Sequence, residues 1–224
     1  MALALDSSTP PFVKGTSNPA TTASFSPPAN AMLVALTEAD ESNTFSVSGG
    51  SLTWTQANTV GVAGRNSLSS WTAFTTTAPG SITVSSTKTG SFTANALKVL
   101  VFTGAETSFS GAHSVAQSNT VTITATQTGS WCWVVVGDNL GSTSDTAGAG
   151  CTYNDAEAAF GGVAGGILKR TTADGVNGSN ITMSAGSSSA DMSIIIVEVK
   201  AASTTAVFPL RLPLMQPIFR AANY

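Results

Sequence analysis

NTVTITATQTGSWCWVVV, residues 119–136, contains the two apolar patterns that decide the fold of this chain. In its first part, residues 119–126, apolar side chains alternate with threonines, which is typical of a strand with one buried face. After a turn at Gly129-Ser130, residues 131–136 are almost continuously apolar, which predicts a strand covered on both faces. Half-buried and fully buried strands in one segment indicate sheets packed on one another.

The same two patterns recur along the rest of the chain. The other alternating segments are LTWT (52–55) and SITVSS (81–86), and the other continuous ones are AMLVAL (31–36), LKVLVF (97–102) and IIIVEV (194–199). Turns are predicted at Gly49-Gly50, Ala78-Pro79-Gly80 and Asn177-Gly178. Helical periodicity is nearly absent. We therefore predict an all-β fold with two packed antiparallel sheets, jelly-roll-like, and one core within a single domain at residues 1–200.

The composition is hydrophilic but almost uncharged. Only 9% of the residues are charged, the net charge is −3, and 62 residues are Ser or Thr. Lys and Arg form no basic patch, so we expect no nucleic-acid partner. A surface of this kind carries little charge repulsion, which favours close packing beside copies of itself.

The location of the protein is predicted from its termini and cysteines. The segment MALALDSSTPPF (1–12) lacks the basic and apolar regions of a secretory signal. The sequence contains no run of eighteen apolar residues, so no membrane-spanning helix is predicted. We therefore expect assembly in a reducing cytoplasm. That compartment favours thiols over a disulfide for Cys132 and Cys151, although the two could pair.

The C-terminal segment VFPLRLPLMQPIFRAANY (207–224) differs in kind from the rest of the chain. It is apolar, and prolines at 209, 213 and 217 exclude a regular helix. An extended apolar arm exposed to water would promote aggregation, so we expect it to dock on its own domain or on a neighbouring subunit after a linker at 201–206. The predicted docking residues are Phe208, Leu210, Leu212, Leu214, Ile218 and Phe219.

The sequence contains no recognisable spacing of catalytic or metal-binding residues. His113 lies in a predicted loop, and neither a serine elbow nor a zinc ligand set accompanies it. Oxygen donors near a predicted loop at 137–150 could bind calcium, but the usual calcium-loop spacing is missing. These donors are Asp138, Asn139, Asp145, Asn154, Asp155 and Glu157. We predict no enzyme activity, no cofactor and no metal.

Two further residue types, carboxylates and tryptophans, could bind or cleave sugars. Carboxylates at Glu38, Asp40 and Glu41, or at Asp155 and Glu157, could form a hydrolytic pair, but the first group is expected in a solvated turn after a strand. Sugar rings stack on exposed tryptophan, whereas core packing is expected for Trp54, Trp131 and Trp133. Trp71 remains the candidate glycan contact.

Five segments together resemble a known family. They are TTASFSPPANAMLVAL (21–36), GGSLTWTQ (49–56), WTAFTTTAPGSITVSS (71–86), ALKVLVFTGA (96–105) and MSIIIVEVK (192–200). The chain resembles, over residues 5–200, β-sandwich virion proteins of tailed bacteriophages, of the minor tail or decoration type, especially those of actinobacteriophages. The resemblance implies a structural role in the particle and transfers no catalytic residue.

Two functions from different classes follow as expectations. The first is a non-enzymatic phage virion protein that self-associates, for example as a trimer, and docks on other virion proteins through its arm. It would decorate the capsid or form part of the tail or a fibre. The alternative is a lectin-like module that recognises host-surface glycans. A glycan hydrolase is a third hypothesis and would require a cleft with two facing carboxylates.

Overall fold

The computed structural model describes residues 2–40, 43–61, 66–90, 94–138, 147–148, 150–160, 163–170, 176–186 and 192–203. The described residues form sixteen strands and no helix, so the predicted all-β class is confirmed. None of them forms a helix that could cross a membrane. The predicted docking residues of the arm lie outside the described residues.

The strands fall into an N-terminal and a C-terminal set. The first set is β1 (Ala4–Leu5), β2 (Val13–Gly15), β3 (Ala20–Thr21), β4 (Met32–Ala39), β5 (Phe45–Gly49), β6 (Thr55–Val60), β7 (Ser67–Phe74), β8 (Val84–Lys88) and β9 (Asn95–Thr103). The second set is β10 (His113–Ala116), β11 (Thr120–Thr124), β12 (Trp131–Asp138), β13 (Cys151–Phe160), β14 (Val163–Arg170), β15 (Asn180–Ser184) and β16 (Met192–Val199).

Each set forms one large and one small antiparallel sheet. The N-terminal large sheet has the order β1-β9-β4-β7-β6, with β2 also paired to β9, and the N-terminal small sheet has the order β3-β8-β5. The C-terminal large sheet has the order β10-β16-β12-β14-β13, and the C-terminal small sheet is β11-β15. The packed antiparallel sandwich is as predicted, but the described residues form four sheets where two were expected.

The strand order repeats between the two halves. In the N-terminal half, the last strand β9 pairs with β2 and β4, and β4 also pairs with β7. In the C-terminal half, the last strand β16 pairs with β10 and β12, and β12 also pairs with β14. This arrangement is the order of a jelly roll, with β3-β8 and β11-β15 in the second sheet. The described residues therefore form two jelly-roll-like halves in tandem, called here the N-terminal and the C-terminal jelly roll.

A β-bulge at the same place supports the repeat. Just before the bulge, four residues pair across four neighbouring strands. They are Gln56–Trp71–Ala35–Val99 in one half and Tyr153–Leu168–Val134–Ile196 in the other. In each half the register of the edge strand then shifts by one residue. Bulges are specific structural features, so a shared position indicates that the halves have the same architecture.

Three apolar layers hold the four sheets together. The middle layer joins the two large sheets and contains Met32, Leu36, Leu100 and Phe102 from one half with Trp133, Val135, Ile195 and Val197 from the other. An outer layer lies between the two sheets of each half. The four predicted central strands, β4, β9, β12 and β16, are buried on both faces because each lies between two of these layers.

Local predictions were mostly confirmed. Gly50, Gly80, Gly129 and Gly178 all have positive φ at the predicted turns. Val121, Ile123 and Ala125 are buried, as the alternation predicted. Residues 52–54 are not a strand as predicted. They follow a turn in which the Leu52 amide donates to the Gly49 carbonyl, and β6 begins only at Thr55.

Two predictions near loops were wrong. His113 begins strand β10 and pairs with Val197, although its side chain is exposed as expected of a solvated histidine. Residues 137 and 138 belong to strand β12 rather than to the following loop. The pairing of β12 with β16 continues through these positions, since Met192 and Ser193 supply their partners.

Candidate functional site

The C-terminal arm leaves the described fold at the connection between the two jelly rolls. Ala201 pairs with Ala105, and the Ala202 amide donates to the Gly104 carbonyl at 2.8 Å. Ser203, the last described residue, is exposed. The described fold therefore ends at a surface position beside Gly104 and Ala105, just before the linker and the arm begin in the sequence.

Trp71 is packed against the N-terminal outer layer and is half-buried. Its Nε1 donates to the Ser69 hydroxyl at 2.7 Å. Trp54 contacts the same layer, while Trp131 and Trp133 contact the middle one. Trp133 is buried in the core as expected, whereas Trp54, Trp131 and Trp71 are partly buried and pack against an apolar layer.

The carboxylates at the end of β4 are not solvated, contrary to expectation. Glu38 is 1% exposed and accepts a hydrogen bond from Asn66 Nδ2 at 2.9 Å. Asp40 is buried and pairs with Lys88 at 3.1 Å. The prediction failed because β4 continues to Ala39 and the end of the strand is covered by packed sheets. Glu41 lies outside the described residues.

The proposed calcium donors do not converge in the part of the chain that is described. Asp155 pairs with Lys98 Nζ at 2.9 Å and accepts from Asn154 Nδ2 at 2.5 Å, while Asp138 is buried in β12. No group of three His, Cys, Asp or Glu residues among those described could hold a metal ion. Asn139, Asp145 and the side chain of Glu157 lie outside the description. Cys132 and Cys151 are buried in one layer and are not joined by a disulfide.

Sequence reasoning missed Glu198, the most extensively hydrogen-bonded carboxylate described. It is 0% exposed and lies on β16 within IIIVEV, where we expected an apolar strand. Its oxygens accept from the Ala112 amide at 2.8 Å, the Thr126 hydroxyl at 2.7 Å and the Ser130 hydroxyl at 2.5 Å. The amides of Thr126 and Gln127 also donate to it, at 3.0 and 3.3 Å.

The surroundings of Glu198 favour its ionised form. Burial acts to raise the pKa of its carboxyl, but the hydrogen bonds from Ser130, Ala112 and Thr126 outweigh burial and hold the pKa below its usual value. The single charge within the apolar run was the signal that could have revealed this site. Glu198 joins β16 to the start of β10 and to the turn before β12, which is a structural role.

A cleft of about 830 Å³ opens at one end of the N-terminal large sheet. Three segments that are distant in sequence surround it: residues 50–57 with the start of β6, residues 72–77 with the end of β7, and residues 107–109 of the connection between the jelly rolls. Nine of its eighteen lining residues are Ser or Thr, and none is charged. Its apolar side consists of Met32, Leu52, Phe74 and Phe109.

Hydrogen bonds hold two walls of the cleft in place. The Glu106 carboxylate accepts from the amide and hydroxyl of Ser110, at 2.7 and 2.8 Å, and pairs with Lys200 at 3.6 Å. These contacts fix the connection that carries Phe109. On the opposite wall the Thr75 hydroxyl donates to the Pro28 carbonyl at 2.7 Å and accepts from the Ala31 amide at 2.9 Å.

Comparison with protein-family models, with curated proteins and with solved structures finds no match to this chain. The function is therefore argued from the described geometry and from the sequence.

Proposed function

We propose that this chain is a non-enzymatic bacteriophage virion structural protein that self-associates and docks through its C-terminal arm. It serves as a capsid decoration, minor tail or fibre component. Its partners are copies of itself, as in a trimer, and other virion proteins. The resemblance of residues 5–200 to phage virion sandwiches supports the proposal, and jelly rolls are common in viral capsid proteins.

The exit of the arm is the observation that carries this proposal. The chain reaches the surface at Ser203, and the three apolar layers of the described fold are already filled by its own strands. The arm that follows contains eight large apolar side chains, each of which stabilises a docked state by about 1.5–3 kcal/mol when fully buried. A second subunit or another virion protein supplies pockets that the filled layers do not.

The outer faces of the stack suit dense packing. The exposed side of the C-terminal small sheet carries Thr122, Thr124, Thr182 and Asn180, joined by hydrogen bonds of 2.8 and 3.0 Å. The exposed side of the N-terminal small sheet carries serines and threonines in the same way. Because the described residues on these two faces carry no charge, neighbouring copies approach with little electrostatic repulsion.

Deletion of residues 207–224 tests the proposal. We expect the truncated protein to remain folded and soluble but to lose both self-association, measured by sedimentation, and incorporation into particles. A full-length F208S/F219S variant should behave in the same way, whereas Q216S, a polar change in the same arm, serves as the matched control. Normal assembly of the truncated protein would overturn the proposed role of the arm.

A glycan-binding module is the second candidate function. The uncharged cleft with an aromatic side favours this function. Trp71, the glycan contact expected from the sequence, is not among the residues that line the cleft.

A further inference from the structure

We infer that the cleft formed by residues 50–57, 72–77 and 107–109 binds an uncharged oligosaccharide. The inference rests on the second candidate function, which it makes specific by naming the site and the ligand class. It does not depend on the arm.

The size and lining of the cleft match a ligand site. Its volume of about 830 Å³ lies within the range of about 300–1,000 Å³ usual for small-molecule sites. Such sites combine an apolar surface with a few polar groups that orient the ligand. Here the side chains of Phe74 and Phe109 are half-buried, so each keeps some surface for the C–H face of a sugar ring.

The polar groups favour a ligand rich in hydroxyls. Within the described part of the chain, Thr53, Gln56 and Thr76 line the cleft, are exposed and form no side-chain hydrogen bond with the protein. Hydroxyl and amide groups both donate and accept, as sugar hydroxyls require. Pairing them with a ligand therefore sacrifices no internal contact.

Because no residue that lines the cleft is charged, the cleft favours neutral ligands over ionic ones. A phosphate or carboxylate that lost water in this cleft would find no cation among the residues that line it. Transfer of an unpaired charge out of water is costly, whereas a neutral sugar exchanges hydrogen bonds with water for hydrogen bonds with the protein. On the connection, the carboxylate of Glu106 pairs with Lys200, which follows β16.

The walls are preorganised, which reduces the entropy lost on binding. Glu106 also donates its amide to the Lys200 carbonyl at 3.0 Å, so backbone and side-chain contacts both hold the connection. Phe109 packs against the middle apolar layer, and its ring centre lies 5.7 Å from that of His113. The aromatic side of the cleft is thus supported from behind.

Titration with defined oligosaccharides tests the inference. The full-length protein is titrated calorimetrically with neutral tetrasaccharides of the malto, cello and chito series, and with a sialylated tetrasaccharide for comparison. We expect at least one neutral sugar to bind, and binding to fall about tenfold or more in Q56A and in T76R, which places a large side chain in the cleft. T122A, on the outer face of the C-terminal small sheet, should bind as wild type does.

Each other result overturns the inference. Failure of every neutral sugar at millimolar concentration would exclude the ligand class, and equal affinity of wild type and T76R would exclude the cleft. Tighter binding of the acidic sugar would exclude the charge argument. Binding of a synthetic peptide of residues 204–224 that T76R abolishes would assign the cleft to the arm. Particle incorporation of Q56A and T76R in the full-length chain is measured separately, so the structural proposal stands or fails by itself.

Discussion

At the scale of single residues, Glu198 is the clearest case of a buried charge with a defined task. Five donor groups from residues 112, 126, 127 and 130 converge on one carboxylate that is fully buried. Gly111 is required next to it, because a Cβ there would collide with the Glu198 carbonyl oxygen. The site therefore joins the connections around β11 to the central strand β16.

We expect Glu198→Gln to destabilise the protein by about 2–4 kcal/mol at neutral pH, since one or two buried donors lose their acceptor at about 1–3 kcal/mol each. The free energy of unfolding in urea measures the effect. Glu106→Gln is the control, and it should cost less than about 1 kcal/mol because its ion pair is partly solvated.

The pH dependence of the stability of Glu198→Gln distinguishes the effect of the lost charge from that of altered hydrogen-bonding geometry. The pKa of Glu198 is lowered in the folded state, so its contribution to stability is present above the ordinary glutamate pKa of 4.5 and is lost as the pH falls through the folded value. The gap in stability between wild type and Glu198→Gln should therefore narrow below about pH 4.5. A gap that stays constant from pH 7 to pH 3 would contradict this account.

At the scale of elements, the aromatic residues of β12 and β7 show how position decides a role. Trp133 is 1% exposed in the middle layer, and its ring centre lies 5.8 Å from that of Phe102 at an angle of 68°. Trp71 is half-buried at the bulge row, on the face that packs against the N-terminal small sheet. Both are structural, but only Trp133 joins the two halves.

Trp133→Ala should destabilise the protein by about 3–5 kcal/mol, as expected for removal of a large buried aromatic side chain. Trp71→Ala should destabilise it less, since its side chain is partly exposed, and should leave sugar affinity unchanged because Trp71 does not line the cleft. Chemical denaturation and calorimetric titration provide the two measurements. Loss of sugar binding in Trp71→Ala without loss of stability would restore Trp71 as the glycan contact.

At the scale of the whole molecule, the middle layer makes the two jelly rolls one unit. Among the described residues, each large sheet packs on its outer side against its own small sheet and on its inner side against the other half. A partly buried ion pair also spans the junction, since Lys98 Nζ of β9 lies 2.9 Å from the Asp155 carboxylate of β13. Neither half can satisfy its inner face alone.

We expect residues 1–104 and residues 105–203, expressed separately, to aggregate or self-associate, because each would expose one side of the middle layer as an apolar patch. Coexpressed from two genes, the halves should co-purify when only one carries an affinity tag. A half that is folded and monomeric by sedimentation would show that the middle layer is not needed.

The all-β class and the four central strands could be predicted from the sequence. Period-two alternation at 119–126 and continuous apolar runs at 31–36, 97–102, 131–136 and 194–199 report burial of one or both faces, and burial is a local consequence of side-chain polarity. The positive-φ glycines at turns were predictable for the same reason, since the backbone demand is local. The apolar character of residues 207–224 is likewise evident from composition alone.

The number of sheets, the repeated strand order and the candidate sites became evident only from the folded structure. A fully buried strand has the same apolar pattern whether its second face packs against a sheet of its own jelly roll or of the next one, so four sheets could not be distinguished from two. The two halves share a strand order and the position of a bulge rather than a recognisable repeat of residues. The cleft and the donors around Glu198 come from segments far apart in the chain, and their convergence depends on strand pairing that no local pattern encodes.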